Sequence, residues 1–102
     1  MLIGITLVAQ SGKKTGTIKV YGNCGMCKKT IEAALTKKDG ILSKKWDVNT
    51  KILSFTYDSA KINPKKVGEK IAAVGYDNEM ATAPDEVYNK LHACCQYERP
   101  KK

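Results

Sequence analysis

Extended and helical runs alternate in a fixed order along residues 17–82. Alternating apolar and β-branched residues predict four strands, at 17–21, 41–47, 52–57 and 76–82. Apolar residues at helical spacing predict two helices, which begin at Cys27 and Asn63 and end at Gly40 and Gly75. The predicted order is therefore strand, helix, strand, strand, helix, strand.

This order specifies an α+β architecture. It corresponds to the split βαβ, or ferredoxin-like, βαββαβ sandwich, in which a four-stranded antiparallel sheet carries both helices on one face. An extra C-terminal helix is expected after the sandwich. Acidic residues follow Pro84, as is typical of a helix start, and apolar residues then recur at helical spacing as far as Cys95.

The chain has 102 residues and is divided here into four segments. Residues 1–16 are interpreted as a leader and a polar linker, 17–82 as the folded domain, 83–98 as the extra helix with Cys94 and Cys95, and 99–102 as a disordered basic tail. The apolar run at the start is about nine residues long, too short to span a bilayer. It resembles the hydrophobic part of a secretory signal, although no basic residue precedes Lys13. We expect a signal-peptide remnant, with a plain strand or a disordered leader as the alternatives.

The four cysteines occur as two tight pairs, Cys24 with Cys27 and Cys94 with Cys95. A disulfide scaffold would distribute its cysteines so as to join distant loops. Two local pairs indicate metal binding or thiol redox chemistry instead.

The first pair forms the C-x-x-C motif Cys24-Gly25-Met26-Cys27, between the first predicted strand and the first predicted helix. Two intervening residues allow both sulfurs to reach one ion, and Gly25 is expected to permit the tight turn. Free amides at the helix start, the positive end of the helix dipole and the charges of Lys28 and Lys29 should lower the thiol pKa values, and soft metals bind thiolates. A pair of thiolates suits Cu(I) or Hg(II), whereas Zn(II) needs two further ligands.

Two other kinds of protein use the same motif. A structural zinc site would need a second ligand pair nearby. A thioredoxin-like dithiol–disulfide oxidoreductase also places C-x-x-C between a strand and a helix. Its core requires more strands and helices than follow here, so the oxidoreductase is kept as the alternative function.

Four stretches match a known pattern in the same order: the C-x-x-C loop and helix at 24–32, the turn Gly40-Ile41, the strand at 51–58, and the Ala-x-Gly-Tyr-Asp-like turn at 71–77. Together they resemble a heavy-metal-associated domain, the module of copper chaperones, metal-ATPase N-terminal domains and periplasmic mercury-binding proteins. The resemblance implies that Cys24 and Cys27 are the metal ligands, with Cys24 the more exposed and the first to transfer metal. Tyr76 would lie beside the site, either shielding the metal or packing in the core. The implied partner is a metal-transporting ATPase or membrane metal transporter.

One position departs from the family pattern. Two residues before the first cysteine the family usually has Met, and this chain has Gly22. Met26 lies inside the motif instead, where its thioether could cover the site or simply pack or be exposed. The departure leaves the cargo open: Cu(I) or Hg(II) is expected, and Zn(II) or Cd(II) stays an alternative.

The second pair, Cys94-Cys95, follows the family-like residues. One interpretation is that it packs the extra helix onto the sheet, since a free cysteine is a small hydrophobe. The other follows from element lengths: the last strand carries the chain about 17 Å from the metal loop, and the extra helix returns it about 16 Å. Either cysteine could then supply a further thiolate. His92 is interpreted as a surface residue.

The formal net charge of +8 is large for this length. The lysines are scattered and no strand carries paired aromatics, so nucleic-acid binding is not expected; the basic surface is either simply solvated or steers the protein toward an acidic partner. No paired carboxylates or phosphate loop indicate catalysis. The sequence therefore predicts a monomeric, non-enzymatic carrier of a soft metal ion, exported or periplasmic, with a cytoplasmic location as the alternative.

Overall fold

The computed structural model describes residues 12–91 and 93–100, without the side chain of Cys94. The predicted leader therefore falls mainly on residues outside this part, as do His92 and the last two residues of the predicted tail. The described strands are β1 (Lys13–Lys19), β2 (Ile41–Trp46) and β3 (Ile52–Asp58), and the α-helices are α1 (Gly25–Ala33), α2 (Pro64–Ala73) and α3 (Asp85–Asn89). Short 3-10 turns lie at Lys37–Asp39 and Ala93–Cys95. The expected α+β class, with an antiparallel sheet and helices, is confirmed.

The three strands form one antiparallel sheet with β3 in the centre. β1 lies along the whole of β3, with Lys13 opposite Asp58 and Lys19 opposite Ile52. β2 pairs with the other edge of β3 and has a local irregularity near its start. The loop that follows β1 leads into α1.

β1 begins at Lys13, inside the segment assigned above to a linker, so that expectation is wrong for residues 13–16. The pairing partner explains the difference: β3 continues to Asp58, and its last residues provide hydrogen-bonding positions for the start of β1. Gly16 lies opposite Phe55, and a Cβ at this position would come within 2.9 Å of the Phe55 ring. The glycine that resembled a linker residue therefore allows close packing across the sheet.

The fourth strand, predicted at 76–82, is reduced to a single bridge between Val20 and Asn78. The side-chain oxygen of Asn78 accepts hydrogen bonds from the amides of Met80 and Ala81, at 3.0 and 3.1 Å. These bonds turn the chain directly after the bridge, because amides in a turn of this kind are no longer available to a strand partner. The described residues therefore form three strands, not the predicted four.

The extra C-terminal helix, predicted over 83–98, is interrupted. α3 ends at Asn89, and one 3-10 turn follows before the chain folds back onto the loop after α2. There the Tyr97 hydroxyl accepts from the amide of Asp77 and donates to the carbonyl of Gly75, both at 2.8 Å. The Tyr97 ring also stacks on Tyr76, with centroids 5.5 Å apart. These contacts hold the end of the chain against the loop after α2, a position that a continuous helix from Pro84 could not reach.

Arg99 corrects the expectation of a disordered tail. Its guanidinium contacts the Asp77 carboxylate at 2.8 Å and the Asp85 carboxylate at 2.7 Å. It also lies 4.7 Å above the ring of Tyr88. We call residues 93–99 the C-terminal strap, because Tyr97 and Arg99 fasten them across the end of the domain.

One hydrophobic core joins the sheet to both long helices. Buried residues of α1, such as Ile31, and of α2, such as Ile71, belong to the same cluster as Leu53 of β3. Each fully buried side chain of this size contributes roughly 1.5–3 kcal/mol relative to an exposed one. Among the described residues, no helix has both the length and the apolar character needed to cross a membrane.

The helix ends follow local chemistry. As predicted, the Asn63 side chain caps α2 by accepting from the amide of Lys66 at 2.8 Å, and Pro64 occupies the first helical position. Gly40 adopts the left-handed conformation expected of it, with φ of 103°. α1 nevertheless ends earlier than predicted, at Ala33, and a separate 3-10 turn fills the interval before Gly40.

Candidate metal centre

The loop between β1 and α1 positions the C-x-x-C cysteines. Cys24 immediately precedes α1 with an extended backbone, and its carbonyl accepts the first helical hydrogen bond, from the amide of Lys28 at 3.1 Å. Cys27 lies in the first turn of α1, where its side chain is completely buried. Cys24 is only partly buried. The predicted difference in exposure between the two thiols is thus present in the structure.

Three sulfurs converge at this point. The Sγ atom of Cys24 lies 3.6 Å from Sγ of Cys27 and 3.7 Å from Sγ of Cys95, which belongs to the C-terminal strap. All three sulfurs lie within 4.8 Å of one another, and none is in a disulfide. The sequence argument from element lengths expected such a return of the chain, although the route is a short helix and the strap instead of one long helix. The side chain of Cys94 is outside the described part.

The thiols of Cys24 and Cys95 differ in their readiness to ionise. The backbone N–H of Cys27, helped by the Cys27 thiol and the N–H of Met26, lowers the pKa of Cys24 from 9.0 to about 7. Burial, together with the neighbouring Cys27 thiol, raises the pKa of Cys95 to about 12. At neutral pH the site therefore combines a half-ionised, accessible thiol with a protonated, buried one.

Lys28 does not have the role expected of it. Its ammonium group lies 2.6 Å from the Glu32 carboxylate and donates to the carbonyl of Trp46 at 2.9 Å. The charge of Lys28 therefore connects α1 to β2. The low pKa of Cys24 follows from the backbone amides at the start of α1.

The two residues inside the motif are open to solvent. A Cβ added to Gly25 would meet no atom within 4 Å, and Gly25 is not among the glycines with a positive φ. The tight-turn requirement predicted for Gly25 is therefore wrong. Met26 has 46% of its surface exposed, which favours the exposed role over a cover on the site.

Trp46 explains the departure from the family pattern at Gly22. A Cβ on Gly22 would lie 3.0 Å from the Trp46 ring and 3.3 Å from Cβ of Cys27. Trp46 is fully buried, and its indole N–H donates to the carbonyl of Val20 at 3.0 Å. The indole occupies the space that a side chain at position 22 would need, so a methionine there would displace it.

Tyr76 lies both in the core and beside the sulfurs. Its side chain is fully buried, and among the described residues no nitrogen or oxygen atom is a hydrogen-bond partner of its hydroxyl. Burial, followed by the nearby thiols of Cys27 and Cys95, raises the pKa of this hydroxyl. The two alternatives left open for Tyr76 are therefore compatible.

Sequence reasoning missed the residues that hold the strap. A carboxylate needs a cationic partner when it is buried, but the burial of Asp77 beside Arg99 is visible only in the structure. The sequence gave no signal for Tyr97 either, because its partners are backbone groups of a distant loop.

The sequence pattern of the heavy-metal-associated domain matches residues 14–77, which is more than half of the chain. The chain belongs to the heavy-metal-associated domain family. Its C-terminal strap lies after the matched residues, so Cys95 is not part of the region on which the assignment depends.

Relatives of this heavy-metal-associated domain include transporters and chaperones. The chain is 34% identical to a zinc-transporting ATPase of Synechocystis over 69% of its own length, but this covers only 10% of the ATPase. It is 33% identical to the copper chaperone CopZ of Staphylococcus aureus, over 54% of this chain and 81% of CopZ. It is also 33% identical to the periplasmic component of mercuric transport from Shewanella putrefaciens, over 74% of this chain and 84% of that protein.

A solved structure of a mercury-related protein, MerP, has a similar fold. The crystal structure of oxidized MerP from Ralstonia metallidurans superposes with a TM-score of 0.61 at 28% identity. The match covers 66% of this chain and 94% of MerP. The residues left uncovered amount to about a third of this chain, so the relatives' structures do not account for all of it.

Proposed function

We propose that this protein binds one soft metal ion through the thiolates of Cys24 and Cys27 and passes it to a metal-transporting partner. The expected cargo is Cu(I) or Hg(II), with Zn(II) or Cd(II) as alternatives. The observation that carries this proposal is the 3.6 Å separation of the two sulfurs at the amino end of α1. Thiolates at this separation can bind the same ion, and soft thiolate ligands select soft metals.

Electrostatics supports the same site. A thiol with a pKa of about 7 loses its proton to an incoming metal at neutral pH much more readily than an ordinary cysteine. Cys24 is also the more accessible of the pair. Cys24 is therefore proposed to make the first bond to the ion on arrival and to exchange first with a partner's ligand on departure.

The proposed partner is a metal-transporting ATPase or another membrane metal transporter. Similarity to the ATPase and to the mercuric transport component supports this assignment. The net charge of +8 would favour docking on an acidic face. We propose a monomeric carrier without enzymatic activity or nucleic-acid binding, located in the periplasm or otherwise exported, with the cytoplasm as the alternative.

The proposal is tested by titrating the reduced full chain with Cu(I), Hg(II), Zn(II) and Cd(II) under anaerobic conditions. Thiolate-to-metal absorption and the fluorescence of the single tryptophan, Trp46, report binding, because its ring borders the same space as Cys27. One equivalent of Cu(I) or Hg(II) should saturate both signals. Cys24→Ser and Cys27→Ser should each weaken binding strongly, whereas Gly25→Ala, between the two cysteines, should bind like the original protein.

Absence of uptake for all four ions would contradict the proposal. Rapid reduction of insulin disulfides by the metal-free protein would favour the alternative, a thioredoxin-like oxidoreductase. If both serine variants bound metal as strongly as the original protein, the metal site would lie elsewhere in the chain.

A further inference from the structure

We propose that Cys95 is a third metal ligand, so that the metal site is a three-thiolate site closed by the C-terminal strap. This inference rests on the proposed function of Cys24 and Cys27. It adds a ligand from a segment that lies beyond the residues matched to the heavy-metal-associated domain. It also predicts that the cargo is retained more firmly than a two-thiolate site would allow.

The sulfur positions suit a three-coordinate ion. Three sulfurs that each lie about 2.3 Å from a central metal are about 4 Å apart. The described sulfurs are separated by 3.6 Å and 3.7 Å for the two pairs that contain Cys24, and all lie within 4.8 Å of one another. An ion can therefore be accommodated after sulfur–sulfur distances change by less than about 1 Å.

The strap holds Cys95 in this position through the contacts of Tyr97 and Arg99. The Tyr97 hydroxyl makes two hydrogen bonds to the backbone of residues 75–77, and Arg99 forms an ion pair with the buried carboxylate of Asp77. Both anchors attach to the loop that carries Tyr76, next to the sulfurs. Cys95 is thereby fixed before any metal arrives, and the entropic cost of recruiting a third ligand is small.

The hydroxyl of Tyr76 is a second, independent indication. It is fully buried beside the thiols of Cys27 and Cys95, and among the described residues no nitrogen or oxygen atom is its hydrogen-bond partner. A protonated thiol is a weak acceptor, whereas a metal-bound thiolate carries negative charge and accepts strongly. The buried donor is explained if the neighbouring sulfurs are thiolates in the metal-bound protein.

Ligand exchange would then proceed from one side. Cys27 and Cys95 are buried, at 0% and 3% exposure, and Cys24 is partly exposed. A partner's thiolate can replace Cys24 first while the other two sulfurs still hold the ion. The thiols that are protonated before binding release their protons to solvent as the metal–sulfur bonds form.

X-ray absorption spectroscopy of the Cu(I)- and Hg(II)-loaded full chain tests this inference. We expect three sulfur neighbours in the original protein, two in Cys95→Ser and three in Cys94→Ser, which is the matched control in the adjacent position. Two sulfur neighbours in both the original protein and Cys95→Ser would overturn the inference while leaving the proposed function intact. Loss of a sulfur in Cys94→Ser but not in Cys95→Ser would also overturn it, and absence of metal uptake would contradict the proposed function itself.

Release kinetics gives a second readout that does not depend on counting neighbours. Transfer of the ion to an excess of chelator should be at least about tenfold faster from Cys95→Ser than from the original protein, because even outer-shell changes commonly cost this much. Cys95→Ala serves as a second variant if the serine is poorly tolerated in the buried position. Unchanged release from a folded variant would count against a third ligand.

Discussion

The three thiols of the site differ chemically although their sulfurs are neighbours. Cys24 sits at the open end of α1, where backbone amides stabilise its thiolate, and Cys95 lies under the strap, where burial favours the neutral thiol. The direction of each pKa shift follows from position in the fold. Both shifts concern the metal-free, reduced protein.

The first prediction concerns alkylation of these thiols as a function of pH. In a Cys94→Ser background, the reaction of Cys24 with iodoacetamide should increase from pH 6 to pH 8, with a midpoint near its pKa of about 7. Cys95 should stay unreacted over this range, because its pKa is raised to about 12 and its sulfur is buried. Peptide mass mapping measures both reactions. Identical pH profiles for the two cysteines would contradict the assigned environments.

The second prediction separates the two roles of Tyr76. Tyr76→Phe removes a buried hydroxyl for which the described residues provide no nitrogen or oxygen partner. The free energy of unfolding of the metal-free protein should therefore be unchanged or increase by up to about 1 kcal/mol, while metal affinity falls because the donor to the thiolates is lost. Urea unfolding and competitive metal titration measure the two effects. A loss of stability with unchanged affinity would assign Tyr76 to the core alone.

At the scale of single elements, the start of α1 depends on Gly22 and not on Gly25. The third prediction is that Gly22→Ala destabilises the protein by about 1–3 kcal/mol, since the new methyl group would lie only 3.0 Å from the tightly packed Trp46 ring. Gly25→Ala, three positions along, should be neutral or stabilising by about 0.4–1 kcal/mol. Thermal and urea unfolding compare the two variants. The reverse order of stability would show that the packing around Trp46 is described wrongly.

The fourth prediction concerns the strap. Arg99→Gln leaves the Asp77 carboxylate buried without its cation and should cost about 1–3 kcal/mol. The matched control is Lys66→Gln, which removes an exposed ion pair with Glu69 and should cost less than about 1 kcal/mol. Both variants are measured by urea unfolding. In Arg99→Gln, Cys95 should also become accessible to alkylation; equal behaviour of the two variants would mean that Arg99 does not fasten the strap.

Elements with strong local signals were predictable from the sequence. The cap at Asn63, the left-handed Gly40 and the C-x-x-C motif before a helix depend on residues close to one another in the chain. The lost fourth strand depends on the side chain of Asn78, which takes the amides that a strand would need. The alternation of apolar and polar residues in the sequence does not show whether a side chain will bind the backbone amides that a strand would need.

The strap was harder to predict for a different reason. Helical spacing of apolar residues after Pro84 was present, but contacts of Tyr97 and Arg99 with residues about 20 positions away decided the path of the chain. Local propensity is a weak guide when tertiary contacts oppose it. From the sequence, a position of Cys95 close to Cys24 could therefore be predicted only as one of two alternatives.

At the scale of the whole molecule, the metal site joins three parts of the chain that are far apart in sequence: the loop before α1, the loop that carries Tyr76, and the strap. An ion that binds the folded protein and not the unfolded chain adds stability by mass action, about 2.7 kcal/mol when its free concentration is 100 times the dissociation constant. Binding should therefore be visible as cooperative stabilisation of the entire domain.

The fifth prediction is that saturation with Cu(I) or Hg(II) raises the midpoint of thermal unfolding of the reduced protein by several degrees. The same ions should raise the midpoint of Cys24→Ser much less. Differential scanning calorimetry of the two proteins, with and without metal, provides the comparison. An equal increase for both would indicate that metal binds at a site without Cys24.

Native mass spectrometry of the reduced chain, incubated with equimolar Cu(I) or Hg(II) at neutral pH, tests most directly whether this domain carries a thiophilic ion. We predict one ion on each chain for the original protein, and a mass that stays metal-free when Cys24 and Cys27 are both replaced by serine. A metal-free mass for the original protein, or equal loading of the double variant, would contradict the account.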